Sequence, residues 1–96
     1  MSIKSLEFSL PISITKEGDV FVAHTSVLDI STCADTLVEV KSRFLELVEI
    51  FFEELEKKGT TDEVLESMGW QKVESSWEPP VEIEHSIEEF KVTATT

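Results

Sequence analysis

The chain has 96 residues, with 8 basic side chains against 20 acidic ones, a net charge of −12 and a pI near 4.4. Its length fits one domain with a short extension, and its 41% apolar content is that of a globular chain, not of a disordered acidic tail. The charge argues against a phosphate-backbone binder, which needs clustered cations to release counterions, and against an anionic membrane surface; it favours a basic partner drawn in by a complementary field.

Residues 5–15 alternate. Leu6, Phe8, Leu10, Ile12 and Ile14 share one face, while Ser5, Glu7, Ser9, Pro11, Ser13 and Thr15 share the other, the period-2 mark of a half-buried strand. Pro11 has no N–H to give a ladder, so this strand is predicted at an edge or bulged there. Lys16-Glu17-Gly18-Asp19 reads as a hairpin turn with Gly18 at positive φ. Val20–Thr25 and Leu28–Thr32 follow as two further strands, making an antiparallel meander.

Residues 36–58 change period. Leu37, Val40, Phe44, Leu47, Phe51 and Leu55 recur at spacings of three and four, and Val38, Leu45, Val48 and Phe52 widen the stripe to about half the helix circumference. Glu39, Glu46, Glu49, Glu53 and Glu54 take the other half. Thr36 with Glu39 fits a capping box, worth about 1 kcal/mol. Lys57-Lys58-Gly59 supplies cations for the C-terminal dipole and a left-handed cap.

A second, short helix is predicted from Thr60-Thr61-Asp62-Glu63, with Val64, Leu65 and Met68 apolar and Gly69 ending it. Residues 70–80, with Trp70, Trp77 and Pro79-Pro80, read as irregular. Val81, Ile83, His85 and Ile87 then alternate with Glu82, Glu84, Ser86 and Glu88, which predicts a fourth strand over 81–87, running on towards Val92; Thr93–Thr96 should fray. The order β-β-β-α-(α)-β predicts a two-layer α+β domain, an antiparallel meander packed by one long helix. Residues 1–73 form the domain, and 74–96 an extension that completes the sheet or makes a dimer contact. The wide helix arc leaves Phe52, Ile50 and Val38 as surplus for a second copy or a partner.

Chemistry is sparsely signalled. The single Cys33 excludes an intramolecular disulfide and any multi-Cys zinc site, reads as a small buried apolar residue, and fits a reducing, cytoplasmic setting. No apolar run approaches a membrane span, and Met1–Leu10 does not read as a signal peptide. A divalent-metal hydrolase would need carboxylates converging from different elements; Glu7, Asp29 and Asp35 are the candidates, against the simpler roles of polar-face residue, turn and local cap. His24 and His85 are the only imidazoles, and neither sits in a nucleophile signature with Ser or Cys33. The acidic stretch 46–66 is either a solvated face or a docking face for a basic protein. Trp70 and Trp77 are packing residues or, if exposed in their irregular segment, interface anchors. No cofactor and no enzymatic activity are expected.

Several short motifs, ordered and correctly spaced, resemble the HicB antitoxin family. They are Phe21-Val22-Ala23-His24-Thr25, Leu28-Asp29-Ile30-Ser31-Thr32, Ala34-Asp35-Thr36-Leu37-Val38-Glu39-Val40 and Phe52-Glu53-Glu54-Leu55, with Glu66 to Trp70 similar to the end of the family's next helix. The likeness covers about residues 20–72. It implies a partial ribonuclease H-like fold without the nuclease's carboxylate set, self-association into a homodimer or higher oligomer, and a partner: a small basic HicA-like RNA-cleaving toxin whose active site the antitoxin occludes. Ala34 departs from the family's glycine, at a cost of about 1 kcal/mol if that position needs positive φ. Val38-Glu39-Val40 makes the helix start more apolar than usual. Residues 74–96 are too short and acidic for the DNA-binding module many members carry, so operator binding does not carry over. The resulting expectation is a stand-alone antitoxin-like binding protein with Glu46, Glu49, Glu53, Glu54, Trp70 and Trp77 as contact residues. The alternative is an oligomeric scaffold or a degenerate ribonuclease H-like protein with no toxin partner.

Overall fold

The computed structural model describes residues 8–74 and 76–94. Three strands, β1 (Ser13–Glu17), β2 (Val20–Thr25) and β3 (Ile30–Ala34), form one antiparallel sheet in the order β1-β2-β3. The long helix α1 (Leu37–Lys58) follows and packs on β3 and β2. A short helix α2 (Thr61–Ser67) and a two-stranded hairpin, β4 (Gln71–Val73) and β5 (Ser76–Glu78), complete the folded body. The α+β class and the two layers are as the sequence predicts. None of the described helices is long and apolar enough to cross a membrane.

The first strand is shorter than its alternation suggests. Residues 8–12 stand outside the ladder, and residues 1–7, including the predicted Leu6 and Glu7, lie outside the described residues. Pro11 gives the reason: pairing starts two residues after the missing N–H, at Ser13↔His24. At the other end Lys16 and Glu17 belong to the strand, not to the turn. Glu17 pairs with Val20 across the two-residue loop Gly18-Asp19, with Gly18 at φ 62, as a type II′ hairpin requires of its first central residue.

The register fixes both faces of the sheet. Ile14, Ala23 and Thr32 stand opposite one another on the helix side, with Phe21 and Ala34 beside them. Val22, His24, Ser31 and Cys33 point to the other face. Cys33 is therefore exposed, contrary to the buried position expected of it. The third strand begins at Ile30, two residues later than predicted, because Asp29 adopts a left-handed turn conformation (φ 52) and its neighbours Val27 and Leu28 turn into the core. Ala34 sits within β3, 4% exposed against the helix, and is not among the positive-φ residues. Alanine in place of glycine thus carries no backbone strain here.

The helix runs as predicted. Thr36 Oγ1 accepts from the Glu39 N–H at 3.1 Å, and Gly59 closes the other end at φ 65, its N–H donating to the Glu56 carbonyl. Val40, Phe44, Val48, Phe52 and Leu55 form the buried line, each worth roughly 1.5–3 kcal/mol when fully withdrawn from water. They meet Ala23, Ala34, Val27, Leu28, Leu65, Trp70 and Trp77 in a single core.

Two C-terminal expectations are corrected. Residues 70–80 are not irregular: Gln71–Val73 and Ser76–Glu78 pair as a hairpin, with Glu74 at φ 58 in its turn. This hairpin, not residues 81–87, supplies the last β-element. Residues 81–94 form neither helix nor ladder, and Val81, Ile83, Ile87, Phe90 and Val92 are 78–92% exposed. Pro79-Pro80 withholds two donors at the start of the segment, and among the described residues no turn folds a strand back beside it. The radius of gyration, 17.1 Å, exceeds the 12–13 Å or so of a compact chain this long, and the 63 Å long dimension is nearly twice the roughly 33 Å of a 22-residue helix.

Candidate partner-binding surface

The acidic half of α1 resolves into two groups. At 100° per residue Glu46, Glu49 and Glu53 fall within about 60° of one another, a ridge about 10 Å long on the outer side of the helix. All three are exposed. Glu54 lies about 100° further round, on the flank of Leu47 and Ile50. Four glutamates that look alike in the sequence therefore do not form one surface.

Beside that ridge runs an open groove of about 500 Å³, lined by Phe8, Val48, Phe52, Glu49, Glu53 and Glu56, with Lys57 at its end. Its floor is hydrocarbon and its rim is carboxylate. The floor is held by aromatic packing: the Phe8 ring lies 4.6 Å from Phe52 and edge-on to Trp70 at 5.6 Å, and Phe51 meets Phe52 edge-on at 5.3 Å. Thr61 Oγ1 donates to Glu56 Oε1 at 2.7 Å, which orients one rim carboxylate. Glu49 and Glu53 of the predicted contact set are brought to this groove; Glu46 stands further along the ridge and Glu54 on the other flank.

Trp70 and Trp77 are not exposed aromatics. Both are 3% exposed and belong to the core. Trp70 Nε1 donates to the Val27 carbonyl at 2.9 Å, a bond spanning 43 residues that ties the β2–β3 loop to the end of α2. Trp77 is the inward residue of β5, with the Lys72 ammonium 5.8 Å from its ring centroid. Lys72 also stands 3.6 Å from Asp62. Their irregular-looking segment is a hairpin that covers the core, which is why the rings turn inward.

The other candidates are dispersed. Asp29 occupies its left-handed turn with a carboxylate oxygen 3.6 Å from His24 Nε2. Asp35 precedes the helix, and the cap is made by Thr36. His85 Nδ1 lies 3.1 Å from Glu82 Oε1, both exposed. Among the described residues no three His, Cys, Asp or Glu side chains gather as a metal site, and Glu7 lies outside them.

Two groove residues were not singled out from the sequence. Glu56 lies three residues after Glu53 and seven after Glu49, so helical spacing alone could have placed it on the rim. Phe8 had no such signal; it reaches Phe52 across 44 positions only because the segment before β1 folds over the helix. Comparison of the chain with protein-family models, with curated proteins and with solved structures gave no match.

Proposed function

We propose that this protein is an antitoxin-like binding protein that neutralises a small basic HicA-like RNA-cleaving protein by covering it, acting without catalysis of its own and without binding nucleic acid directly. The ordered HicB-like motifs across residues 20–72 and the net charge of −12 support the reading. The observation that carries it is the groove with a Phe8, Val48 and Phe52 floor and a Glu49, Glu53 and Glu56 rim. A lysine or arginine of the partner would lay its alkyl stem along the two rings and set its charged head among the carboxylates. A toxin that binds RNA presents such cations at its working surface, so a cover over that surface must be acidic. In the same reading the protein works in the cytoplasm, where an RNA-cleaving partner acts.

The test is co-expression with the short basic proteins encoded beside it, followed by size exclusion at low and high salt. A stable complex at low salt that weakens with salt is expected. Glu49→Gln with Glu53→Gln should weaken it further without altering the helix content. Failure of every neighbouring basic protein to associate at low salt would remove the reading.

The alternative, an oligomeric protein without a toxin partner, is favoured by one observation: the exposed apolar side chains of residues 81–92 and of the α1 flank at Val38 and Leu45.

A further inference from the structure

We propose that the C-terminal arm, residues 81–87, adds as a fourth strand to the β1 edge of a second copy, so that two copies exchange arms. The inference concerns self-association; its site lies on the same flank of α1 as the groove, one turn nearer the start of the helix.

The arm has the form of a strand without a sheet. Val81, Ile83 and Ile87 alternate with Glu82, Glu84, Ser86 and Glu88, and its large apolar side chains are almost wholly in water. A period-2 apolar face is stabilised only by a neighbouring strand with a hydrophobic layer under it.

The β1 edge offers that place, while the β3 edge is already partly occupied. In β3 the Cys33 carbonyl is taken by Arg43, whose Nη1 donates to it at 2.9 Å. That carbonyl therefore points away from β2, and the register then leaves the N–H and C=O groups of Ile14 and Lys16 facing outward from β1. Unpaired edge groups of this kind are the usual site of strand addition. Under the β1 edge lies a cavity of about 270 Å³, lined by Ile12, Ile14, Ala23, Lys41, Phe44 and Leu45. Its upper wall is incompletely covered: Leu45 is 61% exposed and Ile12 43%. A strand laid along β1 would drop alternate side chains into this gap.

Charge selects the occupant. The groove at Phe8 and Phe52 is rimmed by three glutamates, which would repel an acidic strand. The cavity under β1 is lined by apolar side chains, one lysine and no carboxylate, so it takes the arm's apolar face, while Glu82, Glu84 and Glu88 fall on the far face of the sheet on the side of Ser13 and Thr15.

Geometry favours exchange between copies. The start of the arm, Pro80 to Glu82, lies with Pro11, Ser13 and His24 around one hollow on the far face of the sheet, and Pro79-Pro80 stiffens the departure. His85 lines the same hollow, and residues 81–94 are exposed throughout in a molecule 63 Å long. An arm that starts beside β1 without pairing with it is placed to reach the same edge of a two-fold mate, giving an isologous contact in which each copy donates and receives one strand.

The experiment is sedimentation velocity on the full chain and on two variants placed on exposed residues, one in the arm (Ile83→Glu with Ile87→Glu) and one in the receiving edge (Leu45→Glu). The full chain should be a dimer whose association strengthens with salt, because two acidic bodies repel. Each variant should run as a monomer with unchanged circular dichroism. Mixed together they should partly recover a dimer, since one intact arm then meets one intact edge. A monomeric full chain overturns the proposal, whether the arm stays free or folds onto its own β1. So does a dimer that survives the arm variant. Loss of dimer in the arm variant alone, with Leu45→Glu still dimeric, places the arm elsewhere and overturns the assigned edge.

Discussion

Residues 36–58 and residues 81–87 carry equally regular patterns, one at the helical period and one at the strand period, yet only the first forms its element. The difference lies in where each finds its hydrogen bonds. A helix satisfies its interior N–H and C=O groups within its own segment and needs only its ends capped, which Thr36 and Gly59 do. A strand satisfies nothing by itself. Residues 13–17 became β1 because Gly18-Asp19 folds β2 back beside them; residues 81–87, with a similar alternation, have no hairpin turn that brings a strand into register with them. A clean pattern therefore fixes which face will be apolar, while the chain around it decides whether a partner strand exists.

The sharpest break of this comparison is a substitution in the helix core. Phe44 is 1% exposed, and Phe44→Ala should cost about 3–5 kcal/mol, read as a lower urea midpoint. Replacing Ile83 and Ile87 with glutamate, the same apolar-to-polar direction in the arm, should leave the monomer's stability within about 0.5 kcal/mol. Comparable losses from both, at concentrations too low for dimers, would show that the arm packs on its own body.

Trp70→Phe comes next. It keeps the ring near Phe8 and Phe52 but removes the donor to the Val27 carbonyl, leaving a buried acceptor unpaired at about 1–3 kcal/mol. Protection of the β2–β3 loop amides from hydrogen exchange should fall with it. A variant as stable as the parent would show that the bond does not hold that loop.

Thr36→Ala should cost about 1 kcal/mol through the lost cap. The smallest effect is expected at Thr25, whose buried hydroxyl has no hydrogen-bond partner among the described residues. Thr25→Val removes an unpaired polar group at nearly constant shape and should be neutral or stabilising by up to about 1 kcal/mol. A clear loss in thermal melts would reveal a partner for that oxygen.

The sequence was most legible where the physics is local. The helix with its two caps, the Gly18 turn and the meander order could all be read from spacing; the apolar stripe could be read only in part, since Phe52, expected as surplus, is buried and Leu37, Val38 and Leu45 are exposed. What depended on distant chain could not. The Trp70 and Trp77 rings turn inward because residues 71–78 form a hairpin, and a three-residue strand is too short to show periodicity. Cys33 faces outward because Ala34, the next residue of β3, takes the helix side, and Cys33 pairs with Val22 on the opposite face. Of the four helix glutamates proposed as contacts, spacing could separate Glu54 from the ridge, but only the position of Phe8 shows that Glu49 and Glu53 border an apolar groove.

The central functional claim is that this groove holds the cations of a basic partner. It is tested most directly by titrating the neighbour-encoded basic protein into the parent chain and into the Glu49→Gln, Glu53→Gln variant by calorimetry, at low and high salt. The account predicts tight binding at low salt, weaker binding at high salt, and a reduced salt dependence in the variant because two of the charges it rests on are gone. Binding of equal strength in both proteins, with the same response to salt, would contradict it.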